Sequence, residues 1–292
     1  MKSQPECLQC FLKHALECAR MVTQDEKTHL RVLRAVLRKS ATLDMRQSPP
    51  VMVQFMHRVI RRAVENADPY RSVKRLHNAL ALKLLPRLEK RVRRAKDPFE
   101  AAVRFAIAGN CIDMGTRKEI DERHILAALE RAASAPILGD VQRLAAALKR
   151  AQDILFLADN AGEIVFDRLL LERLPRQKVT VAVRGSPILN DATMEDARAA
   201  GLVPGFKVIG NGSDAPGTVL SDCSREFQKR FREADLVVSK GQGNFETLSD
   251  ANKHIFFLFL AKCGLICRQL GRRENDLVIL ERKPGVRRGR QP

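Results

Sequence analysis

From residue 153 onward, the chain alternates between short apolar runs and amphipathic helical segments. The apolar runs occupy 154–158, 178–183, 206–209, 236–239, 255–261 and 277–280. Near-continuous apolar strands that alternate with helices are typical of a parallel sheet covered by helices on both faces. The pattern therefore predicts a three-layer α/β/α domain with a mainly parallel sheet over residues 151–282.

Residues 1–150 show the spacing of helices instead. Apolar residues recur every three or four positions over 5–21, 51–64, 70–95, 119–133 and 139–151. Pro98 stands at the first turn of a further helix, and Pro86 is expected to kink a helix or to mark a join between two. No strand-like alternation occurs in this half, so the sequence predicts an all-α domain over 1–150 in front of the α/β domain.

The positive charge is concentrated in the helical half. The chain has 52 Lys and Arg against 34 Asp and Glu, a net charge of +18. Residues 1–150 hold 30 basic and 16 acidic side chains, whereas 151–280 hold 17 of each. Charged polar faces are ordinary on amphipathic helices, and one tyrosine with no tryptophan offers little for base stacking. Nucleic-acid binding is therefore a minor alternative. The basic segment 283–292 is expected to be a disordered tail.

Composition also bounds the class of protein. No apolar run reaches the roughly 18 residues that a membrane span requires. Ionisable side chains interrupt residues 1–20, and this interruption argues against a signal peptide. Seven cysteines, an odd number in a long chain, indicate reduced thiols and a cytoplasmic protein. Cys7 and Cys10, with Cys263 and Cys267, are a weak zinc signal. The six histidines show no metal-ligand spacing and are expected on the surface or in the core.

Polar side chains follow three of the predicted strands at the points where they end. They are Asp159, Asn160 and Glu163 after the first strand, Arg184, Asn190 and Asp191 after the second, and Lys240 after the fourth. Right-handed crossovers place the carboxyl ends of parallel strands along one edge of the sheet, where ligands bind in open α/β folds. We therefore expect these three loops to converge.

The residue types at this edge suit phosphate chemistry. Carboxylate and amide oxygens bind hard divalent cations, and Arg184 and Lys240 are suited to phosphate oxygens. Taken singly, Asp159 or Asp191 is most often a helix N-cap and Glu163 a complement to a helix dipole. Three such loops on one edge favour a shared site for hydrolytic phosphoryl transfer. Dinucleotide-binding, P-loop and nucleophile-elbow motifs are absent from the sequence.

Six motifs occur in an order that resembles a known family. They are CLQCF at 7–11, AGNCID at 108–113, DNAGEIVFD at 159–167, VRGSPILNDAT at 183–193, GSDAPG at 212–217 and SKGQGNFETL at 239–248. Over about residues 5–282 the chain resembles the damage-control phosphatases, and it is most similar to their compact archaeal and bacterial branch with an amino-terminal cysteine pair. This resemblance implies a helical part followed by a Rossmann-like α/β/α part.

The resemblance also implies an activity and its residues. It implies one divalent metal ion (Mn, Ni, Co or Mg) and hydrolysis of a small phosphorylated metabolite, such as a sugar phosphate or a phosphorylated cofactor precursor. The metal ligands would be Asp159, Asn160 and Asp191, Lys240 would hold the phosphate, and Arg184 and Asn190 would line the pocket. Asn110 and Asp113 would reach the site from the helical part, which places the site in the cleft between the two halves.

These observations lead to a primary hypothesis and two alternatives. The primary hypothesis is a metal-dependent phosphatase in which Asp159 and Asp191 are essential and Glu163 orients a water. The sequence is compatible with direct in-line attack by that water and with a covalent intermediate on Asp159. A non-catalytic binder of phosphometabolites or nucleotides would use the same pocket. A nucleic-acid binder would instead use the basic helical half.

Overall fold

The computed structural model describes residues 1–112 and 122–285. The amino-terminal half of these residues is helical apart from one short strand. Its elements are α1 (Pro5–Val22), α2 (Glu26–Ala41), α3 (Pro49–Ala63), α4 (Arg71–Arg94), α5 (Pro98–Ala108), α6 (Glu122–Ser134), β1 (Ile137–Leu138) and α7 (Val141–Arg150). Asp113, which is expected to reach the substrate pocket from the helical part, and most of the basic tail, 286–292, lie outside the described residues.

The second half alternates strands and helices, as the apolar runs predict. Its elements are β2 (Ile154–Leu157), α8 (Glu163–Leu171), β3 (Val179–Val183), α9 (Met194–Ala199), β4 (Lys207–Gly210), α10 (Arg225–Glu233), β5 (Leu236–Lys240), α11 (Gln242–Leu248), β6 (Ile255–Leu260), α12 (Gly264–Leu270) and β7 (Leu277–Arg282). The α/β fold class is therefore confirmed.

Local sequence signals determine where several helices begin. The Asp97 carboxylate accepts a hydrogen bond from the Glu100 backbone N–H (2.9 Å), and Pro98 occupies the first turn of α5 as expected. Asp140 caps α7 in the same way. These caps satisfy backbone N–H groups that have no partner inside the helix. Helix α4 continues through Pro86, so that residue does not mark a join between two helices.

The strands in the described ranges form one sheet with the order β1-β7-β6-β5-β2-β3-β4. The five strands from β6 to β4 in this order are parallel to one another, whereas β7 is antiparallel to β6 and parallel to β1. The expectation that 1–150 contains no strand is wrong at Ile137–Leu138. Two residues are too few to show a period in the sequence, and pairing with β7 defines this strand.

Alternate strand residues pack against helices on opposite faces of the sheet. Phe156 and Val181 belong to a core shared with α4 to α9, whereas Leu155 and Phe257 belong to a core shared with α10 to α12. This is the two-residue period of strands and gives three layers. Helices α4 to α7 are therefore part of the α/β/α sandwich. A smaller core joins α1, α2 and α3, with Tyr70 among its members.

Helix α3 is attached to the sandwich through Asp214, in the loop after β4. The Asp214 carboxylate accepts hydrogen bonds from Gln54 Nε2 and Arg58 Nη2, both at 2.6 Å, and from Arg61. Burial opposes ionisation of Asp214, but the bonds from Arg58, Gln54 and Arg61 outweigh it and lower the Asp214 pKa to about 2. None of the helices in the described ranges combines the length and the apolar character needed to cross a bilayer.

Candidate active site

The register of the sheet brings the three polar loops together. Strand β2 lies between β3 and β5, so the chain runs outward through β3 and β4 on one side of β2 and then through β5 and β6 on the other, as at the ligand-binding switch point of open α/β sheets. Leu157 of β2 is aligned with Ala182 and Ser239. Continuing that register by two residues aligns Asp159 with Arg184 and Gly241.

Backbone pairing brings the expected metal ligands next to one another. Asn160 and Asp191 form an isolated antiparallel bridge beyond the ends of β2 and β3. The Ala192 N–H donates to the Asp159 carbonyl oxygen at 2.7 Å, and the Ala161 N–H donates to that of Asn190 at 2.8 Å. Asp159, Asn160 and Asp191 therefore come from two loops that are joined at this point.

Arg184 lies between two of these carboxylates. Its Nε donates to Asp191 Oδ2 at 2.6 Å, and its Nη2 donates to Asp159 Oδ1 at 3.3 Å. Its Nη1 donates to Asn244 Oδ1 at 3.3 Å. We call Arg184, Asp159, Asp191 and Asn244 the Arg184 cluster. Asn244 was not among the expected site residues, although the SKGQGNFETL motif that contains it was noted.

Lys240 forms a second cluster, the Lys240 cluster, with Glu163 and Asp167. Its Nζ donates to Glu163 Oε1 and Asp167 Oδ1, both at 2.6 Å, and to the Ala106 carbonyl oxygen at 2.9 Å. All three charged side chains are fully buried. Each N–H of the ammonium is used inside the protein, so the phosphate contact expected for Lys240 requires one of these bonds to be exchanged. The sequence analysis had assigned no role to Asp167.

Burial sets the protonation of the Lys240 cluster. Burial raises the pKa of Asp167, Lys240 opposes this effect and Glu163 adds to it, and together they place the pKa of Asp167 at about 7. Burial also disfavours the charged form of Lys240, but Asp167 and Glu163 outweigh it and hold the Lys240 pKa above its usual range. Near neutral pH, therefore, Lys240 is charged and Asp167 is the member of the cluster that can take up a proton.

Two asparagines connect the clusters. Asn110, which follows α5, donates through Nδ2 to Asp159 Oδ2 at 3.0 Å and to Glu163 Oε2 at 2.7 Å. Asn160 Nδ2 donates to the same two oxygens at 2.9 and 3.2 Å. Asn110 therefore reaches the site from the helical half, as expected. Asn190 donates to the Ile112 carbonyl oxygen at 3.1 Å, and its buried Oδ1 has no hydrogen-bond partner among the described residues.

The donor set fits a hard divalent cation. Asp159, Asn160 and Asp191 offer carboxylate and carboxamide oxygens, the donors that Mg²⁺ and Mn²⁺ prefer. The Arg184 and Lys240 clusters together hold four carboxyl groups and two cations, an excess of two negative charges when Asp167 is ionised and of one when Asp167 is protonated. Buried negative charge is costly unless it is paired. A divalent ion has the charge required to balance it.

A glycine allows Asp159 to occupy its position. Gly241 has a φ of +76°, a conformation that residues with a side chain rarely adopt. A Cβ at Gly241 would lie 1.9 Å from Asp159 Oδ2. The loop after β5 therefore approaches the Asp159 carboxylate more closely than a residue with a side chain at position 241 would allow.

A cavity opens beside the loop that follows Arg184. It has a volume of about 430 Å³, and its lining includes Arg61 and Arg62 of α3 together with Ser186, Pro187 and Asp214. The cavity therefore lies between α3 and the loops that follow β3 and β4, and the residues that line it belong to neither the Arg184 cluster nor the Lys240 cluster. Its volume is in the range of pockets for small molecules.

Comparison with known proteins establishes the family. The model of the damage-control phosphatase ARMT1-like domain matches residues 3–278. The chain belongs to this family. A damage-control phosphatase of Archaeoglobus fulgidus is 35% identical over 95% of this chain and 98% of its own length. A protein of Methanocaldococcus jannaschii described as uncharacterised is 33% identical over 97% of this chain and 96% of its own length.

A solved structure agrees with the fold. The crystal structure of a DUF89 family protein, PH1575 of Pyrococcus horikoshii, superposes with a TM-score of 0.87 and 34% sequence identity. The match covers 97% of this chain and all of that one. The same Pyrococcus protein is named a damage-control phosphatase, with 34% identity over 97% of this chain. The family resemblance drawn from the six motifs is therefore confirmed.

Proposed function

We propose that this protein is a metal-dependent phosphatase that hydrolyses a small phosphorylated metabolite, in the manner of a damage-control enzyme. The observation that carries the proposal is the meeting of Asp159, Asn160 and Asp191 beside Arg184 at the carboxyl edge of the sheet. Two relatives of similar length are named damage-control phosphatases, which supports the same reaction here.

The metal ligands of the proposed site are Asp159, Asn160 and Asp191. The ion would be Mn²⁺, Ni²⁺, Co²⁺ or Mg²⁺, all of which accept oxygen ligands. When bound, a divalent ion polarises a phosphoryl oxygen and offsets the charge of the ester. The carboxylates of Asp159 and Asp191 are held apart and oriented by the Arg184 guanidinium, which prevents their mutual repulsion from opening the site.

Cationic side chains bind the phosphoryl group in this proposal. Arg184 holds Asp191 at 2.6 Å but Asp159 and Asn244 only at 3.3 Å, so a phosphoryl oxygen can replace one of the longer bonds. Lys240 could donate to phosphate only by exchanging a bond, and it otherwise neutralises Glu163. Glu163 in turn holds Asn110 and Asn160 in place, and its expected part in orienting a water stays a prediction.

Substrate size and charge follow from the surroundings of the site. The cavity of about 430 Å³ accommodates a small metabolite rather than a polymer, and Arg61 and Arg62 line its wall. The positive charge of the helical half attracts anionic substrates. The family resemblance implies a sugar phosphate or a phosphorylated cofactor precursor, and both substrate classes are small and anionic. The expected cytoplasmic location is where such metabolites occur.

The test is phosphate release from a generic aryl phosphate monoester with Mn²⁺, Ni²⁺, Co²⁺ or Mg²⁺ added singly. We expect turnover that depends on the added metal, and a fall of about 100-fold or more in kcat for Asp159→Asn and Asp191→Asn. Asp153→Asn is the matched control. It removes a carboxylate that precedes β2, at the opposite end of the strand, where Asp153 binds Arg230 at 2.6 Å.

Two outcomes would contradict the proposal. Full activity in Asp159→Asn or Asp191→Asn would remove the assignment of the site. The absence of turnover with any of the four metals, combined with stabilisation of the protein by phosphorylated metabolites, would support the non-catalytic binder instead. Folding of each variant is checked by its circular dichroism spectrum and Tm.

A further inference from the structure

Three metal-binding side chains meet outside the proposed active site, between α1 and α3. His14 and Cys18 stand one turn apart on α1, and His57 is fully buried on α3. Cys18 Sγ lies 3.5 Å from His14 Nε2 and 3.7 Å from His57 Nε2. One ligand atom from each of the three residues lies within 4.8 Å of the other two.

These separations match a tetrahedral zinc site. With Zn–S near 2.3 Å and Zn–N near 2.05 Å, the sulfur and nitrogen atoms of a tetrahedral site lie about 3.6 Å apart. The two sulfur–nitrogen distances, 3.5 and 3.7 Å, differ from that value by about 0.1 Å. An ordinary thiol–imidazole contact needs only one histidine, whereas here two imidazoles converge on the same sulfur.

The chemistry of the donors selects the type of metal. Thiolate and imidazole are soft to intermediate ligands that favour zinc and related transition ions over Mg²⁺ or Ca²⁺. The buried ring of Tyr70 packs edge-on against His57, with 5.5 Å between the ring centroids, and so helps to fix the imidazole beside Cys18.

We propose that His14, Cys18 and His57 form a zinc-binding site that fastens α1 to α3. Binding breaks the S–H bond of Cys18, the proton leaves to solvent water, and a zinc–sulfur bond forms without any change of oxidation state. Helix α3 also carries Gln54, Arg58 and Arg61, which hold Asp214. The ion therefore stabilises the helix that attaches the amino-terminal helices to the α/β layers and lines the cavity.

Cobalt is the probe that separates this site from the oxygen-rich active site. Thiolate-bound Co²⁺ gives an intense sulfur-to-metal charge-transfer band in the near ultraviolet, which carboxylate and amide ligands do not give. We expect this band in the wild-type protein at about one equivalent of Co²⁺, its removal by added Zn²⁺, and its loss in Cys18→Ala. Cys10→Ala is the matched control because it removes an exposed thiol from the same helix.

A second variant keeps the test decisive if Cys18→Ala does not fold. His14 is only half-buried, so His14→Gln is expected to preserve the packing of α1. Zn²⁺ should raise the Tm of the wild-type protein and of Cys10→Ala by more than that of His14→Gln. The proposal is overturned if the wild-type protein shows no thiolate–cobalt band, or if the band survives Cys18→Ala and His14→Gln and disappears in Cys10→Ala.

Discussion

At the scale of single residues, the site depends on two buried cations that separate four carboxylates. Arg184 holds Asp159 and Asp191, and Lys240 holds Glu163 and Asp167. Removing either cation would leave buried negative charges facing one another. Both cations are therefore required to keep the proposed ligands in place, whether or not they also contact phosphate.

The position of Asp159 gives a first prediction. Gly241→Ala places a methyl group where Asp159 Oδ2 now lies, so we expect phosphatase activity to fall by about 100-fold or more. Gly271→Ala is the control because Gly271 also has a positive φ, +61°, but has no atom within 4 Å of a new Cβ. That variant should lose a little stability from backbone strain and keep its kcat. Equal activity in both variants would contradict the assignment of Asp159.

A buried carboxyl group on α11 gives a second prediction, which concerns how the stability of the protein depends on pH. Burial raises the pKa of Glu246 from 4.5 to about 7, against the lowering effects of Gln242 and the Met1 ammonium. Since the folded-state pKa is the higher one, the stabilisation from Glu246 is full below pH 4.5 and is lost as the pH rises through 7. In the wild-type protein, the free energy of unfolding should therefore fall by up to about 1.4 kcal/mol for each pH unit in this range. Glu246→Gln should remove that fall.

Urea unfolding at several pH values between 4.5 and 7.5 measures that slope. The same substitution at exposed Glu274 is the control, since it changes no buried group. A Glu246→Gln variant whose unfolding free energy follows the wild-type pH curve would show that Glu246 is ionised at no cost in the folded protein.

The sequence could identify the site residues at strand ends but not the partners that hold them. Asp159, Asp191 and Lys240 follow apolar runs, and the rule for parallel sheets predicts that such residues converge. Asp167 lies on α8 and Asn244 on α11. Polar residues are common on helices, so neither residue stands out in the sequence. Their pairing with Lys240 and Arg184 depends on how those helices pack, which no local pattern reveals. His14 and Cys18 stand at i and i+4 on α1, a spacing that the expectation of no metal-ligand pattern among the histidines overlooked, and His57 lies on another helix with no local signal.

At the scale of elements, the attachment of α3 to the loop after β4 gives a third prediction. Asp214 accepts hydrogen bonds from Gln54, Arg58 and Arg61, so Asp214→Asn should lower the free energy of unfolding by about 2–3 kcal/mol. Asp44→Asn is the control, because Asp44 pairs only with Arg46 in solvent and its loss should leave the unfolding midpoint unchanged. Equal midpoints for the two variants would contradict this role of Asp214.

Strands buried on both faces followed from the sequence, whereas elements without a clear period did not. The apolar runs predicted β2, β3, β5 and β6 within one or two residues of their bounds, because each is buried on both faces. Strand β1 has two residues, and α11 and α12 have seven each, so none of them shows a clear period. The reversed direction of β7 depends on its pairing with β6, which its own sequence does not specify.

At the scale of the whole molecule, the helical half does not have a single core of its own. Helices α4 to α7 share their core with the sheet, and this core contains residues on both sides of position 150. The change of pattern at that position reflects the order of elements along the chain rather than a division of the core. Among the described residues of the helical half, α1, α2 and α3, with Tyr70, form a cluster that is separate from the sheet. The two-domain division stays a prediction.

The location of the metal ion is the most direct test of the proposed site. Crystals soaked in MnCl₂ and measured at a wavelength with strong manganese anomalous scattering would show it. We predict an anomalous peak coordinated by oxygen atoms of Asp159, Asn160 and Asp191. A map in which manganese binds elsewhere, with these three side chains unliganded, would contradict the metal-dependent mechanism.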